Sequence, residues 1–145
     1  MCYNSLDSVC ELGMEIDEAT RRRDYCFTEA NSKELLDNNR LQQARLINNE
    51  GYTTCPLCLE RLSSYDFCKR LIQATGREVH DLTVTKVNLF HIRELRFGEY
   101  NHKTYNLGWG HHHCNVVVKD SGIDHTLTWM HEVLSKNIEN GHFSV

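Results

Sequence analysis

The chain has 145 residues, of which 40% are apolar, and it contains one proline and eight glycines. This length is typical of one small domain and excludes a multidomain enzyme. No stretch approaches the roughly 20 apolar residues that cross a bilayer, and residues 1–15 have neither the basic nor the apolar region of a signal peptide. We therefore expect neither a membrane protein nor a secreted one.

The charge of the chain is unevenly distributed. Its 16 basic and 20 acidic side chains give a net charge of −4, which argues against a strongly basic nucleic-acid binder. Residues 55–119, however, carry 9 basic and 6 acidic side chains and six of the nine histidines, whereas both flanks are acidic. The sequence therefore predicts that the chemistry lies in this middle segment.

The first half of the chain contains helical signals. A run of helix-forming residues predicts a helix from an N-cap at Ser32 to Gly51. A second helix is expected after the capping residue Ser63, running to about residue 74 and terminated by Gly76.

Strand signals follow. Residues 82–92 are rich in β-branched and aromatic residues, which favours a strand that ends in a histidine. Residues 97–110 hold several glycines and asparagines, which predict a long loop with a short second strand near Tyr105. Residues 110–120 are expected to form a short helix.

A final amphipathic helix is predicted between Asp124, a favourable N-cap, and Gly141. Apolar residues recur along it at helical spacing. They are Leu127, Met130, Leu134 and Ile138.

Two pairs of metal-ligating residues stand out in the middle segment. In Cys55-Pro-Leu-Cys58 two thiolates can converge on one ion, and His111-x-x-Cys114 supplies a second pair, because residues three apart on a helix share a face. Together they predict a Cys3His structural zinc site.

Several alternatives to this site stay open. An odd count of seven cysteines in a chain without a signal peptide makes a disulfide framework the poorer explanation. The cysteines can instead be small buried hydrophobic residues, and no βαβ unit supports a thioredoxin-like redox role for the Cys-Pro-Leu-Cys segment. His112 or His113 can replace His111 as a ligand, and Cys68 can be a spare ligand.

A further pattern surrounds His91 at the end of the predicted strand. Fifteen residues later comes Asn106-Leu107, followed by His111-x-x-Cys114 and directly by Asn115. This order resembles the HNH (ββα-metal, His-Me finger) endonuclease superfamily in its zinc-stapled form, over roughly residues 51–120. The segments LFHIREL and YNLGWGHHHCN are also similar to its restriction-endonuclease branch.

The resemblance implies an α+β fold in which a zinc-stapled ββα-metal core, residues 51–122, packs against an N-terminal helical segment, residues 1–50, and a C-terminal helix, residues 123–145. It also implies a metal-dependent DNA endonuclease that hydrolyses phosphodiester bonds, in the cytoplasm of a prokaryotic or phage-infected cell. A largely acidic chain is poorly suited to salt-driven non-specific binding, so a site-specific, type II restriction-like enzyme on double-stranded DNA is expected. Cutting both strands with one active site per chain favours a homodimer.

Residue roles follow from the same resemblance. His91 corresponds to the general base, Asn106 to the residue that orients this base, and Asn115 to the C-terminal ligand of a catalytic Mg2+. Arg93 and Arg96 are candidate phosphate contacts, although a solvated face explains both equally well.

One position departs from the family pattern. The residue before the base is usually Asp or His and binds the catalytic metal, whereas here it is Phe90, which cannot coordinate an ion. Another group can complete the site, or water and substrate phosphates can hold the ion. The module can also be a catalytically inactive zinc module that binds nucleic acid or a protein partner. The candidate replacement ligands are Asn88, Glu94, His102 and His113.

Other charged and aromatic residues are given a structural interpretation. The run from Arg21 to Arg23 is more typical of a solvated face than of a phosphate contact. Large aromatic residues in a chain of this size usually belong to the core rather than stack on bases. Tyr100, Trp109 and Trp129 are therefore expected to be core residues.

Overall fold

The fold was obtained as a computed structural model that describes residues 10, 12–69 and 85–144. These residues form a small two-stranded sheet and five helices, so the fold is α+β, as predicted. The elements are α1 (Ile16–Ser32), α2 (Asn38–Gln43), α3 (Ser64–Cys68), β1 (Val87–His91), β2 (Leu107–His111), α4 (His112–Val118) and α5 (Ile123–Glu139). Within the described ranges, none of the helices has the length and apolar content that crossing a membrane requires.

The predicted helix from Ser32 to Gly51 is wrong. Ser32 is the last residue of α1, and the next helix begins after Asp37, whose side chain accepts a hydrogen bond from the Arg40 backbone N–H at 3.0 Å. That helix, α2, has only six residues. Gly51 lies in a turn, where its N–H donates to the Asn48 carbonyl at 3.0 Å. Asp37 therefore takes the capping role that was expected of Ser32.

Helix α1 is held by local charge interactions on an exposed surface. Asp17 and Glu18 lie in its first turn, where negative charge complements the helix dipole. Arg21 and Arg22 both form ion pairs with Glu18, at 2.8 and 2.7 Å. Both arginines thus belong to a solvated face, as the sequence indicated.

The segment before α3 forms a tight turn. The Leu59 N–H donates to the Cys55 carbonyl, and the Cys55 N–H donates to the Glu60 carbonyl, each at 2.9 Å. Leu59 adopts a left-handed conformation with φ 62°. The chain reverses here, so residues 55 and 58 lie on the same side of the turn.

Helix α3 begins where the sequence predicted. The Ser63 side chain accepts a hydrogen bond from the Tyr65 N–H at 3.2 Å, as an N-cap residue does. The helix is described from Ser64 to Cys68. The prediction that this helix continues unbroken to residue 74 is wrong, because Lys69 is its C-cap and has an extended backbone (φ −85°, ψ 120°). Gly76 and the first part of the predicted strand, residues 82–84, lie outside the described residues.

Strands β1 and β2 pair antiparallel, with Val87 opposite His111 and His91 opposite Leu107. The second strand begins two residues later than predicted, because Tyr105 has a left-handed φ of 65° that ends the loop before it. Asn106 is therefore the last loop residue and lies beside the end of β1, where the Ile92 N–H donates to its carbonyl at 3.1 Å.

Helix α4 follows β2 without a connecting residue and packs on both strands. Phe90 is completely buried beneath it, and any side chain at Gly110 would overlap the Phe90 ring. Burial of these apolar side chains provides most of the driving force for this part of the fold. The core consists of Cys55, Leu57, Leu62, Val87, Phe90, Cys114, Val118 and Ile123.

Helix α5 was predicted, but its start and its packing differ. Gly122 occupies the N-cap position with φ 79°, and a Cβ there would lie 2.7 Å from the Glu94 nitrogen, so Asp124 lies in the first turn instead. Ile123 and Thr126 are buried, whereas the apolar stripe beyond them is exposed. The expected packing of the C-terminal helix on the core therefore extends only over its first turn. The helix ends just before Gly141, whose φ of 72° is left-handed.

Candidate metal centre and candidate active site

Four potential metal ligands meet where the turn before α3, strand β2 and helix α4 come together. Cys55 and Cys58 come from the turn, His111 ends β2, and Cys114 lies in the first turn of α4. One ligand atom from each residue lies within 4.8 Å of the others, and the Cys58 Sγ is 3.3 Å from the His111 Nδ1. The structure thus brings together the four residues that the spacing predicted.

The geometry of this cluster suits a zinc ion. Ligand bonds of about 2.0–2.3 Å in a tetrahedral site separate neighbouring ligand atoms by roughly 3.3–3.8 Å, which is compatible with the observed cluster. The turn itself is braced by Arg45, whose side chain donates to the carbonyls of Pro56 at 2.6 Å and Leu57 at 3.4 Å. A Cys3His cluster of this kind can bind zinc.

Burial and neighbouring groups change the pKa values of three of the four ligands. Burial, followed by the neighbouring thiols of Cys55 and Cys58, raises the pKa of Cys114. Burial also raises the pKa of Cys58, and burial and then His113 lower the pKa of His111. Each shift favours the uncharged side chain in the cluster alone, and a bound cation would favour the deprotonated thiolates that ligate it.

The alternative ligands lie elsewhere. His112 Nδ1 is 2.8 Å from the Asn88 amide nitrogen, and the ring of His113 stacks on that of His111 with centroids 5.3 Å apart. Cys68 is exposed at the end of α3. Of the three consecutive histidines, His111 is the one in the cluster.

His91 lies half-buried at the end of β1. Its Nε2 is 3.1 Å from the Nδ1 of His102, which comes from the loop between the strands. Burial first, and then His102, lowers the pKa of His91, while the negative charge of Asp120 acts in the opposite direction. The shift favours the neutral imidazole, which is the form that accepts a proton.

Asn106 is buried beside His91 and uses both branches of its amide. Its Oδ1 accepts from the Arg93 backbone N–H at 2.7 Å, and its Nδ2 donates to the Asn101 carbonyl at 2.6 Å. It therefore connects the chain just after His91 to the far side of the loop.

Asn115 faces the same strand from helix α4. Its Nδ2 donates to the Leu89 carbonyl at 3.1 Å, two residues before His91. The other branch of the amide presents Oδ1, an oxygen donor of the type that hard divalent cations prefer. Within residues 10, 12–69 and 85–144, no second group of three His, Cys, Asp or Glu side chains is arranged to hold a metal.

A cleft of about 610 Å³ opens on the loop side of Asn106. Arg93 and Arg96 both line it, and Arg96 forms an exposed ion pair with Glu94 at 2.8 Å. Its basic side chains outnumber its acidic ones and can attract phosphate. The basic ones are Arg40, Arg45, Arg93, Arg96 and Lys103, and the acidic ones are Glu94, Glu99 and Asp124.

The aromatic residues divide into two groups. Trp109 packs edge-on against Phe67, with ring centroids 5.1 Å apart, as a core residue. Tyr100 and Trp129 are 84% and 51% exposed, so the core interpretation is wrong for these two.

A comparison with known families adds to this geometry. The family model described as BstXI restriction endonuclease matches residues 1–112 of the 145. The chain belongs to the BstXI restriction endonuclease family. Membership of the BstXI family makes the protein a nuclease that acts on DNA. No curated protein and no solved structure matches the chain.

Some contacts were not predictable from the residue pattern. Three basic residues that line the cleft, Arg40, Arg45 and Lys103, carry no sequence signal beyond their charge. The Arg40 guanidinium lies 4.0 Å from the centroid of the Tyr105 ring. His102 was one of four candidate ligands, and among those four it is the residue that contacts His91.

Proposed function

We propose that the protein is a metal-dependent DNA endonuclease of the HNH type that cuts at specific sites and uses His91 as its general base. The observation that carries this proposal is a pair of hydrogen bonds beside His91, which we call the Asn106 clamp. In it the Asn106 Oδ1 accepts from the Arg93 N–H, and its Nδ2 donates to the Asn101 carbonyl. A two-stranded antiparallel sheet followed directly by a helix, with a Cys3His cluster at the junction, supports a zinc-bound ββα-metal core over residues 51–122.

His91 has the environment that a general base requires. Hydrolysis of a phosphodiester needs a group that removes a proton from the attacking water near neutral pH. The lowered pKa of His91 keeps its imidazole neutral there. Its half-buried position restricts the ring while leaving part of the residue accessible to solvent.

Asn115 and the basic cleft supply the remaining roles. The Asn115 Oδ1 would hold a divalent ion, with water and DNA phosphates completing the coordination, since Phe90 is fully buried in the core. When bound, an ion such as Mg2+ supplies charge stabilisation at the leaving oxygen. Arg93 and Arg96 would contact phosphates on the loop side of the site.

Cleavage of plasmid and phage DNA tests this proposal. We expect discrete fragments with Mg2+. In EDTA we expect DNA binding without cutting, provided that the exposure to EDTA is too short to remove the zinc. A smear of products would keep the nuclease but contradict site specificity. If a zinc-loaded chain cuts nothing with Mg2+ or Mn2+, Phe90 marks a site without catalytic metal, and the inactive zinc-module function replaces the proposal.

Replacement of Asn106 tests its positioning role. Asn106→Ala removes both clamp hydrogen bonds and is expected to lower the cleavage rate by about 10- to 100-fold. It also leaves buried backbone groups without partners, which costs about 1–3 kcal/mol of stability. Rates at a temperature where both proteins are folded, together with urea unfolding midpoints, measure the two effects. Asn31→Ala, on the exposed surface of α1, is the matched control, and an unchanged rate in Asn106→Ala would contradict the role.

We further propose that the enzyme acts as a homodimer through α5. Six apolar side chains of this helix are between 37% and 51% exposed. In a two-fold dimer the same apolar stripe of both copies would meet, as the core of an isologous interface. These side chains belong to Leu127, Trp129, Met130, Val133, Leu134 and Ile138.

The dimer proposal predicts a difference between two faces of α5. Leu134→Lys is expected to convert the protein to a monomer in size-exclusion chromatography with light scattering, because it places a charge in the apolar contact. Thr128→Lys, on the opposite face, should leave the dimer intact. A wild-type chain that is strictly monomeric when bound to its DNA would rule the dimer out.

A further inference from the structure

His102 occupies a specific position relative to the proposed base. Its Nδ1 lies 3.1 Å from the His91 Nε2, with ring centroids 5.2 Å apart and ring planes at 56°. This distance is that of a hydrogen bond between the two ring nitrogens. The contact joins the end of β1 to the loop between the strands.

Only one proton fits between these two nitrogens, so one imidazole donates and the other accepts. A His91 that removes a proton from water needs a free lone pair on Nδ1, and its neutral ring must then carry hydrogen on Nε2. The nitrogen opposite, His102 Nδ1, is then the acceptor. On the basis of the proposed function, we infer that His102 is a positioning residue that sets the tautomer and orientation of His91.

The surrounding hydrogen bonds hold His102 in place for this role. The Asn106 clamp reaches the Asn101 carbonyl, next to His102 in the chain, and the Arg93 N–H, two residues after His91. The Asn101 side chain also donates to the Glu94 carbonyl at 2.8 Å. Both histidines are therefore attached to one network rather than to separate mobile segments.

The other three candidate replacement ligands have different partners. Asn88 contacts Thr85 and His112, and Glu94 forms an ion pair with Arg96. His113 stacks on His111. An imidazole nitrogen is also a poor ligand for Mg2+, which prefers oxygen. His102 therefore acts on the base and not on the catalytic ion.

Two substitutions of His102 test whether its role is to accept a hydrogen bond from His91 or only to fill space beside it. In His102→Asn the amide Oδ1 can occupy the place of the imidazole Nδ1 and accept from His91, whereas in His102→Leu nothing accepts. We expect the leucine variant to cut about 10- to 100-fold more slowly and the asparagine variant to stay within a few-fold of the wild type. His102 is exposed, so both variants are expected to fold, and His125→Leu on α5 is the matched control.

The pH dependence of the rate gives a readout that a structural role would not change. His102 lowers the pKa of His91, and Asp120 raises it. This effect of His102 is the repulsion of its positively charged ring, in which both nitrogens carry hydrogen, whereas the acceptor role belongs to its neutral ring. Either variant removes that repulsion and raises the pKa of His91, so the acid limb of the rate profile should move to higher pH. DNA binding in EDTA and zinc content should not change.

The remaining outcomes overturn the inference. A leucine variant with the rate and acid limb of the wild type shows that His91 needs no acceptor, while the wild-type activity leaves the proposed function intact. Equal losses in both variants exclude the acceptor role, and recovery of the leucine variant at high Mg2+ indicates an effect on metal binding instead. A wild-type chain that cuts no DNA removes the proposed function and this inference together.

Discussion

His91→Ala is expected to reduce DNA cleavage by about 100- to 10,000-fold, the range that a general base contributes. The reason is that the neighbouring imidazole, His102, lies on the Nε2 side of His91 and is not placed to take the proton of a water at His91 Nδ1. The half-buried imidazole makes few core contacts, so the fold should tolerate its removal. Single-turnover cleavage of a mapped site, with the protein in excess, measures the chemical step without product release.

The control for this experiment is another histidine. His125→Ala lies on an exposed face of α5 and should cut like the wild type. Zinc content and DNA binding in EDTA should be equal in all three proteins. If His91→Ala cuts as fast as the wild type, His91 is not the general base, and the nuclease uses a different residue in that role.

The pH dependence of wild-type cleavage follows from the same residue. In the proposed mechanism the neutral form of His91 is the active one, and burial and His102 hold its pKa below the ordinary value of 6.5. Protonation on the acid side therefore removes activity only at a lower pH than for an unperturbed histidine. An acid limb above pH of about 6.5 in a plot of kcat/KM would contradict this assignment.

Cys114→Ser is expected to have the largest effect on stability. Structural zinc sites contribute about 10–16 kcal/mol in small zinc-binding peptides, comparable to the whole stability of a domain, about 5–15 kcal/mol. Cys114 is 97% buried, at the junction of β2 and α4. We expect loss of bound zinc and of the cooperative thermal transition, measured by elemental analysis and circular dichroism.

An exposed cysteine provides the comparison. Cys68→Ser, at the end of α3, should keep one zinc per chain and a Tm within a few degrees of the wild type. A Cys114→Ser protein that retains stoichiometric zinc and the wild-type Tm would show that the ion is held without this thiolate, or that the cluster does not bind one.

Local signals in the sequence predicted much of the fold. Ser63 was predictable as a cap because its side chain acts on the next turn of the chain, and Gly141 because a left-handed residue ends a helix. The ligand pairs at 55 and 58 and at 111 and 114 were predictable since their spacing alone allows convergence. Each of these features depends on residues a few positions apart.

Features set by distant contacts were not predictable. Ser32 and Asp37 are both good caps, and no glycine or proline between them marks the end of α1. The start of β2 depends on Tyr105, whose ring lies under the Arg40 guanidinium 65 residues earlier in the chain. Residue types at these positions do not reveal which contacts the folded chain makes.

The candidate site shows the same division. The order of His91, Asn106 and Asn115 indicated the candidate residues, but not how the loop of residues 92–106 would fold. The approach of His102 to His91 depends on that loop and on the buried Asn106 that closes it. The exposure of the apolar stripe on α5 was likewise not predictable, because apolar residues at helical spacing occur both in helices that bury this stripe and in helices that expose it.

The direct passage from β2 into α4 places Cys114 and Asn115 next to each other in the chain. One residue belongs to the metal cluster and the other to the proposed reaction centre, with no flexible linker between them. Folding of the proposed reaction centre would therefore be coupled to binding of zinc by the cluster. A newly synthesised chain would remain latent until it acquires zinc, so that the supply of the metal, and not synthesis alone, sets the time at which a DNA-cutting protein becomes active in its cell.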